Sequence, residues 1–183
     1  VHALKALRNI TQCNKDIRFI WREHFQLIES VLKIIRENAS LKLVTLSLKL
    51  LGSISGCAMP TMLSPSSRKN IFIFRSFFSG MNEFKRYFIK LYFTELLEIF
   101  TEPMIDAKRE TIAGVLTQLF VADPDSIPQY LTAFFNVFLP MFPTTSINTL
   151  RKFFDYLTVI VRLSGRLITN HATAVFQAIE TFW

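Results

Sequence analysis

"KALRNITQC" occupies residues 5–13, and "KLLGSISGC" occupies residues 49–57. Lys5 aligns with Lys49, Leu7 with Leu51, Ile10 with Ile54 and Cys13 with Cys57, at a fixed spacing of 44 residues. A helical phrase that returns at one distance marks a unit that repeats. If the two phrases are equivalent helices stacked side by side, Lys5 and Lys49 share one wall. Leu7, Ile10, Leu51 and Ile54 then fall on the other side of a 100° step pattern and turn inward. Cys13 and Cys57 become small buried residues at matching helix ends, at interhelix distance and unpaired.

The rest of the chain reads the same way. Residues 24–37 place Phe25, Ile28, Val31, Leu32 and Ile35 at helical spacing, and 41–56 continue with Leu43, Leu46, Leu50, Leu51 and Ile54. Ile112, Val115, Leu116, Leu119 and Phe120 form a later stripe, and Ile147, Leu150, Phe154, Leu157 and Val161 another. Polar joints containing Pro, Gly or a capping residue separate them at 59–67, 79–82, 101–103, 123–128, 143–146 and 169–172. From residue 63 the runs pair as 63–79 with 82–100, 103–122 with 126–142, and 146–166 with 169–183. With five Gly and no Asn-Gly hairpin signal, the pattern predicts an all-α chain of about nine antiparallel helices in a single domain, 1–183.

Net charge is +7, and the first hundred residues carry +8 against −1 for the remainder. A basic half predicts an acidic partner. Two cysteines without a CxxC spacing fit a reducing, intracellular setting, cytoplasmic or nuclear, better than a disulfide framework. The sequons at Asn9 and Asn38 lie in or beside predicted helices and read as chance occurrences. The stretch from Ser126 to Leu150 has no charge, but its apolar heart, "YLTAFFNVFLPMF", is 13 residues long and interrupted by Asn136 and Pro140. Crossing a bilayer takes about 20 apolar residues, so a buried core helix is expected and a transmembrane span is not.

No catalytic constellation emerges. His2, His24 and His171 are scattered, no Gly-rich phosphate loop occurs, and Asp123 and Asp125 flank Pro124 where a turn needs them. Glu95 and Glu98, one turn apart, read as a solvated face. No enzyme activity, metal or cofactor is expected.

The segment "HFQLIESVLKIIRENASLKLVTLSLKLLGSISGC" resembles an armadillo repeat: a second helix, a tight joint, and a third helix ending in a leucine–small–isoleucine–small phrase. "ALRNIT" resembles the end of the preceding repeat. Together with unit starts about 40 residues apart, the resemblance implies an armadillo/HEAT-like right-handed superhelical solenoid of four to five units; a start at Val1 and an end on Trp183 in mid-phrase predict a piece of a longer protein. It is close over residues 1–57 and fades beyond Pro60 into longer, Phe-rich helical pairs.

In such repeats the third helix lines a concave groove. Importin-α-like members place Trp and Asn one turn apart there; the matching positions are Lys5 and Asn9, then Lys49 and Ser53. Asn9 fits, whereas the lysines depart from Trp and resemble the catenin-type groove that receives acidic segments. The resemblance therefore implies a protein-binding scaffold that takes an acidic extended or helical segment through Lys5, Arg8, Asn9, Lys49 and Ser53. Two lysines on helices are also ordinary solvated charges.

A second basic region is "SRKNIFIFRSFFSGMNEFKRYFIKLYF", residues 67–93, which interleaves Arg68, Lys69, Arg75, Lys85, Arg86 and Lys90 with nine aromatics. Aromatics above a basic track describe single-stranded nucleic-acid binding, the alternative function. Helical spacing instead puts Phe84, Phe88, Leu91 and Tyr92 on one face, the pattern of a core stripe with cations outside. Finally, the apolar phrases at both ends predict a cover for at least one of them, by more chain, a partner or a second copy.

Overall fold

A computed structural model describes residues 1–13, 24–37, 40–54 and 82–181. Among these residues every regular element is helical and no strand occurs. The α-helices are α1 (His2–Cys13), α2 (Phe25–Glu37), α3 (Leu41–Ile54), α4 (Asn82–Thr101), α5 (Asp106–Ala122), α6 (Ile127–Phe138), α7 (Ile147–Ser164) and α8 (Ala172–Glu180). Short 3-10 stretches cover Pro124–Ser126, Leu139–Thr144 and Gly165–His171. The count of eight α-helices among the described residues differs from the expected nine. The expected run at 63–79 lies outside the described residues, as do Cys57 and the side chains of Cys13 and Ile54.

The chain divides into two compact units, Val1–Glu95 and Leu96–Trp183. In the first, α1 and α2 both pack on α3. The stripe of α2 is buried as its spacing requires, with Ile28, Val31, Leu32 and Ile35 all inside, and Gln26, Glu29, Lys33 and Glu37 in solvent. On α3, Val44, Ser47, Leu48, Leu50 and Leu51 are buried. The guanidinium of Arg36 lies 3.7 Å from the Glu95 carboxylate, tying α2 to α4. Both groups are partly exposed, so the pair stabilises by about 1 kcal/mol at most.

One residue of the recurring phrase departs from its expected direction. Leu51 is buried and Leu7 half-buried, but Ile10 is 48% exposed. The inward arc of α1 runs through Leu4, Leu7 and Thr11, at i, i+3 and i+7. Ile10 lies off this line by most of a 100° step, and α1 buries only a narrow face.

The second unit is built on phenylalanine. Ile112, Val115, Leu116, Leu119 and Phe120 of α5 are all buried, and α5 packs extensively on α7. The uncharged segment supplies the rest: Phe134, Phe135, Phe138 and Phe142 are buried. Pro128 sits in the first turn of α6, where no intrahelical N–H is needed. Pro140 removes the donor that would extend α6, and the backbone tightens into the 3-10 stretch that contains Pro143. Among the described residues no helix is long and apolar enough to cross a membrane.

The core stripe of α7 differs from its expected register. Leu150, Phe153, Leu157, Ile160 and Ser164 are buried, whereas Ile147 is 66% exposed. The start of α7 is held instead by a polar clasp, in which the Ser146 N–H donates to Asp106 Oδ2 at 2.8 Å. Asp106 opens α5, so one carboxylate serves two helix N-termini. The Ser146 hydrogen bonds, with Arg109 nearby, hold its carboxyl below the usual range against a small opposing effect of burial. At its other end α7 stops at Gly165, whose φ of 52° favours glycine.

Candidate functional site

α1 reads HALKALRNITQC and α3 reads LKLVTLSLKLLGSI, so neither helix contains a carboxylate. They pack on each other. Between them they carry Lys5, Arg8, Lys42 and Lys49, and none of the four has a carboxylate partner among the described residues. Lys5 and Asn9 are exposed, and Arg8 is half-buried with its Nε enclosed and lacking a hydrogen-bond partner among the described residues. On α3 the inward residues leave one open stripe, along which Lys42 is exposed and Lys49 and Ser53 are half-buried.

Two details alter the sequence expectation. Lys42 was not singled out by the recurring phrase, because residue 42 precedes it. Seven residues before Lys49, however, it returns to the same helical face after two turns; extending the phrase backward by one heptad finds it. The Ser53 hydroxyl donates to the Lys49 carbonyl at 2.9 Å, so its proton is engaged within the helix and only its oxygen is left to accept.

Beside this basic pair lies a groove of roughly 360 Å³. Leu4 and Leu7 of α1, Leu27, Val31 and Ile34 of α2, and Leu43 of α3 line it. Leu27 is 43% exposed, so the apolar wall meets solvent. The polar side chain in the lining is Ser30, and its hydroxyl donates to the Gln26 carbonyl at 2.8 Å. Composition alone could not locate this groove, since it arises where two helices pack on a third.

Of the second basic region, Arg68, Lys69 and Arg75 lie outside the described residues, as do the side chains of Lys85, Arg86, Phe84, Phe88 and Leu91. Lys90 is exposed on α4, while Tyr92 and Phe93 are buried. Those two rings face the core and offer no surface for base stacking.

Perturbed ionisable groups occur in the second unit, with structural partners. Burial pushes the Lys108 ammonium down, opposed by Glu102. Burial pushes the Tyr156 phenol up to about 12, with Glu110 and Asp155 adding to it. His171 places Nε2 3.2 Å from Thr132 Oγ1 and its ring against Phe135. No family model, curated protein or solved structure matches the chain.

Proposed function

We propose that the chain is a non-enzymatic, intracellular protein–protein interaction scaffold of armadillo/HEAT-like type, whose basic α1/α3 face receives an acidic segment of a partner. The observation that carries this reading is the pair of packed helices holding four cations and no carboxylate. Cations carried on packed helices without carboxylates among them favour anions nearby. The solenoid part draws support from the packing: α1 with α3, and α5 with α7, are the most extensively packed pairs. Each pair starts about 40 residues apart in sequence, the period of such arrays.

The test is a fluorescence titration of the chain with a labelled glutamate-rich peptide. The variant Lys5→Glu/Lys49→Glu is expected to weaken binding by tenfold or more, and by more than either single reversal. Unchanged binding in the double variant overturns the reading. A single-stranded oligonucleotide that binds more tightly than the peptide, with a steep dependence of log affinity on log salt, favours the nucleic-acid alternative.

A further inference from the structure

Two apolar surfaces lie on different units of the chain. The first is the groove of α1, α2 and α3, with roughly 360 Å³ of space and no charged residue in its lining. An apolar cavity of about 150 Å³ accommodates a benzene ring, so one aromatic side chain fits with space to spare. The polar side chain there is Ser30, and its hydroxyl already donates to the Gln26 carbonyl. An extended segment would leave backbone N–H and C=O groups unpaired in such a lining, whereas a helix pairs its own.

The second surface is on α8. Phe176 is the one aromatic among the exposed large apolar residues of the described chain, and 63% of it meets solvent, while the neighbouring Val175 is buried. α8 reads ATAVFQAIE and has no charge before Glu180. Two other apolar side chains are comparably exposed, Ile147 at 66% and Ile105 at 59%. Both adjoin the Asp106–Ser146 clasp, so seating either of them in an apolar groove would bring the Asp106 carboxylate against a wall that cannot solvate it. Phe176 carries no such neighbour.

Charge makes the same pairing. Val1–Glu95 holds fifteen Lys and Arg against six Asp and Glu, a net +9, and Leu96–Trp183 holds six against eight, a net −2. Between two copies, first unit against first unit is repulsive and second against second weakly so. First against second is the attractive combination. The groove belongs to the first unit and α8 to the second.

We infer that the groove of α1, α2 and α3 receives α8 of a second copy of this chain, with Phe176 seated against Leu27. The contact joins two different surfaces, and it does not depend on the acidic partner proposed above.

Sedimentation velocity on the intact chain tests it over about a hundredfold range of concentration. The average mass of the parent protein is expected to rise with concentration. Leu27→Glu and Phe176→Glu, both at exposed positions, are each expected to stay monomeric, because each removes one of the two surfaces. An equimolar mixture of the two variants supplies one intact groove and one intact α8, and is expected to form a dimer. Circular dichroism melts of both variants should lie within a few degrees of the parent; if Leu27→Glu unfolds, Leu27→Ser replaces it. A parent chain that stays monomeric over the whole range overturns the inference. So does a mixture that stays monomeric, or association that survives either substitution, since the copies then meet through other surfaces.

Discussion

A β-carbon built on Gly114 would lie 2.9 Å from the Tyr156 hydroxyl oxygen and 3.2 Å from the ring carbon that bears it. Glycine in mid-helix costs about 0.5–1 kcal/mol relative to alanine, so its place in α5 reflects the close approach of α7. Gly114→Ala should gain that propensity and lose much of it again by displacing the phenol. In a Tyr156→Phe background the hydroxyl is gone and only the ring carbon at 3.2 Å must give, so the same change should be more favourable than in the parent protein, by at most about 1 kcal/mol. Thermal melts of the four proteins in this cycle measure the coupling, and strict additivity contradicts the contact. The phenol also sets an alkaline limit. Its folded pKa is raised to about 12, above the value near 10 of an exposed tyrosine. The folded state thus holds this proton more tightly than the unfolded chain does. The resulting stability is complete below about pH 10 and is lost as pH rises from about 10 to 12. The melting temperature should fall more steeply over that window in the parent protein than in Tyr156→Phe.

At the scale of elements, α6 shows what an uncharged run of sequence is for. Phe138 lies 4.7 Å from Phe134, 4.8 Å from Phe153 and 5.2 Å from Phe142, measured between ring centroids, and 6.1 Å from Phe100. One ring thus joins α4, α6, α7 and the 3-10 stretch after α6. Phe138→Ala should cost about 3–5 kcal/mol through lost transfer energy and the cavity left behind. Phe138→Leu should cost clearly less, and chemical denaturation measures both. A loss under about 1 kcal/mol for the alanine variant would mean that the cluster does not hold these elements together. The same elements show where periodicity stops being informative. The α5 stripe was legible because its flanking positions are small or polar. In α7 the sets 147/150/154/157/161 and 150/153/157/160/164 both have helical spacing, and the first is apolar throughout. Only the partners decide between them: Phe153 meets Phe138 and Phe142, and Ser164 is admitted to the core because its hydroxyl donates to the Ile160 carbonyl at 2.7 Å. A serine that satisfies itself within its own helix looks like a surface residue in the sequence.

For the whole molecule, the distribution of charge was readable and its consequence in space was not. The excess of +8 in the first hundred residues is plain from the sequence, and so are Lys5 and Lys49. That α1 and α3 would pack together with no carboxylate on either depends on tertiary pairing, as does the apolar groove beside them. The charged face is open to a test with salt, because exposed charges are screened. Raising ionic strength from about 0.1 M to about 1 M shortens the Debye length from about 10 Å to about 3 Å. Contacts between exposed lysines and carboxylates weaken accordingly, whereas aliphatic burial is not screened. Affinity for the labelled glutamate-rich peptide should therefore fall over this range. Lys5→Glu/Lys49→Glu should start weaker and show a flatter dependence on salt. Isothermal titration at four or more ionic strengths, at one pH, measures both slopes. If the parent chain and the double lysine variant share one slope, the attraction comes from elsewhere on the basic half and α1/α3 is not the recognition face.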